Sequence, residues 1–113
     1  MRIYHNPRCS KSRKALELIK EKAKEIEIIE YLKNPMTFED LKLILSKLSI
    51  SPINLVRKKE KIWKENFNEK KLKGNEIIQI MVENPRIIER PIVINGMKAI
   101  IGRPPENVLK IMD

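Results

Sequence analysis

The sequence contains a single cysteine, Cys9, among its 113 residues. One cysteine cannot form an internal disulfide, which excludes the disulfide-stabilised secreted domains, so we expect a protein of the reducing cytoplasm. Long apolar runs are missing as well, so the sequence predicts no membrane-spanning helix. We expect no membrane association, no metal and no tightly bound cofactor.

Acidic residues are in the minority. Fifteen Asp and Glu stand against 24 Lys and Arg, which gives a net charge of +9. A protein this basic is attracted to polyanions, so a nucleic-acid surface has to be considered. The most basic stretch, residues 57–73, nevertheless interleaves its lysines with glutamates at positions 60, 65 and 69. That pattern is typical of a solvated helical face, and nucleic acid is not expected as a partner.

The length suits one domain, residues 1–113, and the apolar pattern indicates an α/β fold. A short strand at residues 2–5, a helix from Ser10 to about Lys22 and a strand at residues 26–30 predict a βαβ unit with parallel strands. Helical patterns then follow one another through residues 36–85, beginning at a capping box over residues 37–40.

The C-terminal part predicts a hairpin and a helix. Two β-rich runs in residues 92–101 flank Asn95-Gly96, a preferred pair for a type I′ turn. Pro104 and Pro105 then start a last helix. This order predicts a thioredoxin-like core, βαβ followed by ββα, with a mixed four-stranded sheet and a helical insertion at about residues 36–85 between the two halves.

The surroundings of Cys9 indicate a reactive thiol. The cysteine lies between the first strand and the first helix, where unpaired N–H groups and the helix dipole favour a thiolate and attract anions. Cations within a few residues act in the same direction: His5, Arg8, Lys11 and Arg13. The alternative is a buried, inert cysteine, but nothing nearby in the sequence resembles an apolar pocket.

Several arginines stand apart from the lysine-rich helical faces. They fall beside glycine, proline or the cysteine, although surface ion pairing remains the simplest explanation for any one of them: Arg8, Arg13, Arg57, Arg90 and Arg103. The planar guanidinium group matches an oxyanion with two parallel hydrogen bonds, which lysine does not. An oxyanion is therefore a candidate ligand.

The motifs together resemble those of the glutaredoxin-coupled arsenate reductase family. The matching segments cover essentially the whole chain in order: Tyr-His-Asn-Pro-Arg-Cys-Ser-Lys-Ser-Arg at 4–13, Leu-Val-Arg-Lys at 55–58, Glu-Arg-Pro-Ile-Val at 89–93 and Gly-Arg-Pro at 102–104. The resemblance implies the thioredoxin-like fold with its helical insertion. It also implies a cis peptide bond before Pro91, beside the active cysteine.

The resemblance assigns roles by position. Cys9 matches the catalytic nucleophile, with His5 and Ser12 as the polar neighbours that tune it. The oxyanion-binding arginines correspond to Arg57, Arg90 and Arg103. The implied activity is reduction of arsenate to arsenite, with glutathione as co-substrate and glutaredoxin as partner.

One feature of the motif explains this dependence on outside thiols. A dithiol oxidoreductase would carry a second cysteine at position 12, where this chain has Ser12. The resolving thiol must therefore come from a partner. Ser10-Lys11 departs from the small neutral residues of the better-known members, and Lys11 adds a cation that would favour a larger or different anion.

Two other functions stay open at the level of sequence. One is a thiol-based regulator that binds RNA polymerase, although such regulators use a Cys-x-x-Cys switch that Ser12 removes. The other is a monothiol redox protein that handles glutathione without arsenate specificity, since thioredoxin-like folds host many functions.

Overall fold

A mixed four-stranded sheet organises the part of the molecule that carries Cys9. The computed structural model describes residues 1–112; Asp113, the last residue of the predicted domain, lies outside them. The strands are β1 (Arg2–His5), β2 (Glu27–Glu30), β3 (Ile92–Asn95) and β4 (Lys98–Ile101). Their order is β2-β1-β3-β4, with β1 parallel to β2 and the other two pairs antiparallel. The predicted α/β fold with a thioredoxin-like sheet is confirmed.

Two compact units make up the chain. One comprises Met1–Asn34 and the residues from Arg90 onward, and the other comprises Pro35–Glu89. The first unit contains the sheet, helix α1 (Ser10–Lys22) and a 3₁₀ helix, Pro105–Ile111. The second is the predicted helical block and contains α2 (Phe38–Leu48), α3 (Lys61–Asn66), α4 (Gly74–Glu83) and two 3₁₀ helices, Pro52–Leu55 and Pro85–Ile87.

The core of the first unit lies between one face of the sheet and the two helices. It brings together apolar side chains that are almost fully buried: Ile3, Ala15, Ile19, Val93, Val108 and Ile111. Ala15 and Ile19 are one helical turn apart, so α1 presents a single apolar stripe to the sheet. Packing that stripe fixes the start of α1, and hence Cys9, relative to β1.

The hairpin turn differs from the prediction. The two-residue loop is Gly96-Met97 rather than Asn95-Gly96, because Asn95 already pairs with Lys98 in the ladder. Gly96 has φ +63°, and it is the only glycine with positive φ among residues 1–112, while Met97 does not have positive φ. Glycine at the first central position is the pattern of a type II′ turn, so the type I′ prediction was wrong.

The helical unit has its own apolar core. The capping box at the start of α2 forms as predicted: the Asp40 N–H donates to Thr37 Oγ1 (3.1 Å), and the Thr37 N–H donates to Asp40 Oδ2 (2.9 Å). Helices α2 and α4 pack against each other through buried aliphatic side chains, among them Leu41, Ile44, Ile77, Ile78 and Met81. No helix in residues 1–112 is long and apolar enough to cross a membrane.

Candidate active site

The loop from β1 to α1 holds Cys9 at the N-cap of the helix. Asn6 organises this loop through three hydrogen bonds. Its carbonyl oxygen accepts from the Cys9 N–H (3.0 Å), its Oδ1 accepts from the Arg8 N–H (3.0 Å), and its own N–H donates to Ser12 Oγ (3.1 Å). This role of Asn6 is not among the sequence-based predictions. An Asn-Pro pair at the end of a strand is a signal for a loop stabilised by its own side chain.

Ser12 and His5 connect the loop to the sheet. Ser12 is fully buried, and its Oγ lies 2.6 Å from His5 Nδ1. Burial, reinforced by Lys20 and Arg13 and opposed by Glu30, lowers the pKa of His5. The imidazole is therefore neutral at pH 7, so the prediction that His5 acts as a cation beside Cys9 was wrong. The Ser12 hydroxyl donates to His5 Nδ1 or accepts from it, according to which imidazole nitrogen carries the proton.

The Cys9 thiol lies in an environment that favours its thiolate. Partial burial raises the pKa of Cys9, but hydrogen bonds from the Ser12 N–H, the Arg90 side chain and the Lys11 N–H outweigh it, and the net pKa is lowered. The two backbone donors belong to the first turn of α1, where N–H groups have no partner within the helix. The N–H groups at the start of α1 and the Arg90 side chain thus favour the thiolate. Arg8, which was predicted to act in the same direction, has an exposed side chain.

Two of the three predicted arginines meet at Cys9. Arg103 Nη1 lies 3.9 Å from Cys9 Sγ and donates to the Arg90 carbonyl oxygen (3.4 Å), while Arg90 donates to the sulfur. Next to Arg103, Gly102 packs closely against Pro91: a Cβ there would lie 2.8 Å from Pro91 Cγ. Its N–H donates to the Pro91 carbonyl oxygen (2.9 Å), and the Arg90–Pro91 peptide is cis, as the resemblance implied.

Arg57 belongs to the helical unit, and its charge is shared with two carboxylates. Its Nε lies 3.2 Å from Glu89 Oε1, and its Nη1 lies 3.5 Å from Glu60 Oε1. By contrast, none of the carboxylates in residues 1–112 forms an ion pair with Arg103. The role predicted for Arg57 stays a prediction, and any oxyanion it binds must compete with Glu60 and Glu89.

This arrangement combines a soft nucleophile with two guanidinium groups. A tetrahedral oxyanion at Cys9 would receive hydrogen bonds from arginine while the sulfur attacks its central atom. Among the described residues, no group of three or more His, Cys, Asp or Glu side chains is arranged to hold a metal ion.

The pKa shift gives a direct prediction. Thiolate absorbance should show a lower pKa for Cys9 in the native protein than in the urea-unfolded protein, and the reaction rate with a neutral alkylating reagent should follow the same curve. Because the folded-state pKa is the lower one, ionisation of Cys9 favours folding above the pKa of the unfolded chain. That contribution is lost as the pH falls through the folded-state pKa. A midpoint at or above that of the urea-unfolded protein would contradict the prediction.

Comparison with known proteins places the site in a family. The family model described as ArsC family matches residues 4–111. The chain is 43% identical to an arsenate reductase of Haemophilus influenzae, over 97% of both proteins. It is 47% identical to a protein of Escherichia coli K12 named uncharacterized protein YfgD, over 99% of this chain and 96% of that one.

A solved structure supports the same family assignment. The structure titled arsenate reductase from Vibrio cholerae superposes with a TM-score of 0.92 and 39% identity, covering 98% of each chain. The resemblance seen in the motifs is therefore confirmed. With a family match over nearly its whole length and relatives this similar, the chain belongs to the ArsC family.

Proposed function

We propose that this protein reduces arsenate to arsenite, with Cys9 as nucleophile, glutathione as co-substrate and glutaredoxin as the partner that regenerates the thiol. The observation that carries the proposal is the meeting of Arg90 and Arg103 at a thiol whose pKa is lowered. The name of the Haemophilus influenzae relative supports arsenate as the oxyanion. The free thiol suits the reducing cytoplasm, where glutathione is available.

The first step is attack of the Cys9 thiolate on arsenic. A sulfur–arsenic bond forms, one arsenate oxygen takes up two protons and leaves as water, and arsenic stays pentavalent. Arg90 and Arg103 compensate the negative charge that would otherwise repel the thiolate. The N–H groups at the start of α1 contribute in the same way.

The second step transfers the electrons. The thiolate of glutathione attacks Cys9 Sγ, the sulfur–arsenic bond breaks, and its electron pair stays on arsenic, which leaves as trivalent arsenite after protonation. The two sulfur atoms are oxidised together to a mixed disulfide. Glutaredoxin then removes the glutathionyl group by thiol–disulfide exchange and restores Cys9. Since position 12 is a serine, no internal thiol can take the place of glutathione.

The test is arsenate-dependent oxidation of NADPH in a system with glutathione, glutaredoxin and glutathione reductase. We expect turnover in the complete system and none without glutathione. When glutaredoxin is withheld, intact-protein mass spectrometry should find a single glutathionyl adduct on Cys9. Turnover without any external thiol would contradict the mechanism, as would absence of the adduct.

Failure of the complete system with folded protein and a free thiol would overturn the proposed substrate. Retention of glutathione exchange in that case would favour the monothiol redox protein instead. A matched substrate control is phosphate, which has the same shape and charge but cannot be reduced by thiols under these conditions.

A further inference from the structure

A groove of about 510 Å³ is lined by residues of α1 and by residues of the β1–α1 segment on either side of Cys9 in the sequence. Its volume falls within the range of sites that bind small molecules. The residues of α1 that line it recur every three or four positions, so they form one continuous helical face, with Leu16 beside it: Ser10, Arg13, Lys14, Glu17 and Lys20. His5 and Pro7 complete the lining at the end nearest the cysteine loop.

The groove carries a net positive charge. Three basic side chains line it, Arg13, Lys14 and Lys20, against one acidic side chain, Glu17. All four side chains are exposed. Lys14 Nζ lies 3.7 Å from Glu17 Oε2. Within residues 1–112, neither Arg13 nor Lys20 forms an ion pair with a carboxylate. Two cationic groups are thus available to a ligand.

Arg13 is held in place beside the cysteine loop. Its Nη1 donates to the Pro7 carbonyl oxygen (2.9 Å), and its backbone N–H donates to the Cys9 carbonyl oxygen (3.0 Å). The remaining guanidinium donors can therefore bind a carboxylate with little loss of side-chain entropy. Ser10, which follows Cys9 directly, lines the same end of the groove.

We propose that this α1 groove binds the external thiol through its carboxylates. The occupant is a small peptide thiol of the glutathione class, with two carboxylates and one ammonium group. Arg13 and Lys20 match the carboxylates, and Glu17 matches the ammonium group. The inference rests on the proposed function for its thiol chemistry, and it adds a binding surface separate from the arginines that contact Cys9 Sγ.

A disulfide-exchange assay tests the groove without arsenate. The Cys9 thiolate attacks oxidised glutathione, a mixed disulfide forms and reduced glutathione leaves, so electrons and atoms balance. The same reaction with bis(2-hydroxyethyl) disulfide, which has no charge, measures the reactivity of the sulfur alone. Mass spectrometry follows both rates, and each is corrected for the thiolate fraction from an absorbance titration.

We expect Arg13→Gln to slow exchange with oxidised glutathione about fivefold, the scale of one exposed charge pair, and Lys20→Gln to slow it by a similar or smaller factor. The uncharged disulfide should react at an unchanged rate. Lys22→Gln is the matched control, because Lys22 is an exposed cation of α1 that does not line the groove. In arsenate turnover, the groove variants should raise KM for glutathione and leave KM for arsenate unchanged.

The outcomes separate the two proposals. Equal losses of exchange rate for both disulfides would overturn the proposal that the groove binds glutathione. Equal losses in Lys22→Gln and in the groove variants would overturn it as well. Selective loss with oxidised glutathione would support the groove even if arsenate turnover failed, and in that case only the proposed substrate would be wrong.

Discussion

Replacing Cys9 by serine is expected to abolish arsenate-dependent turnover, with a loss on the order of 10⁶-fold if Cys9 is the nucleophile, comparable to removal of a nucleophile from a hydrolase. A serine hydroxyl stays protonated at neutral pH and is a hard nucleophile, so neither the helix start nor Arg90 can convert it into a thiolate equivalent. The coupled NADPH assay measures the loss. Residual turnover above the uncatalysed rate would mean that another group carries the chemistry.

The variant should remain folded. Serine is a preferred N-cap residue, so the helix start is retained or strengthened by the change. Unfolding in urea and arsenate binding by calorimetry provide the controls, because the oxyanion contacts proposed for Arg90 and Arg103 do not depend on the sulfur. A large loss of stability would instead indicate a packing role for Cys9.

The main elements of the fold can be predicted from local patterns. The βαβ unit follows from two short apolar strands around a helix with one apolar stripe, and α2 is marked by its Thr37–Asp40 capping box. Cys9 at the helix start is equally local, since a strand, a short loop and a helical pattern surround it. Such features depend on neighbours within a few residues, which is the range over which sequence patterns act.

The geometry around the sulfur is mostly not local. Arg90 and Arg103 converge on Cys9 from segments that the sequence separates widely from the cysteine, and Gly102 packs against Pro91 between them. The neutral state of His5 depends on its burial and on charges from α1 and β2. The motif resemblance suggested that these arginines bind an oxyanion. It could not show that the backbone N–H groups of Lys11 and Ser12 help to lower the pKa of Cys9.

The three arginines should differ when they are removed one at a time. Arg90 donates to the sulfur, and Arg103 lies at 3.9 Å from it, whereas the charge of Arg57 is already shared with Glu60 and Glu89. We therefore expect Arg90→Ala to have the largest effect on the thiol. Arg57→Ala should affect arsenate handling without changing the Cys9 titration.

Arg90→Ala is expected to raise the pKa of Cys9 and to lower kcat/KM for arsenate by about 10- to 100-fold, because a hydrogen bond to a charged group contributes about 1.5–3 kcal/mol. The thiolate titration separates the two causes: the part of the loss that persists at a pH where both proteins are fully ionised measures the oxyanion contact alone. Arg90→Lys should recover the charge but not the two parallel donors, so the pKa of Cys9 should return further toward its wild-type value than kcat/KM does.

Arg8→Ala is the matched control, since it removes an exposed cation from the same loop. Full activity in a folded Arg90→Ala protein would show that the oxyanion is bound elsewhere, and equal pKa shifts in Arg90→Ala and Arg8→Ala would assign the effect to general charge rather than to the hydrogen bond.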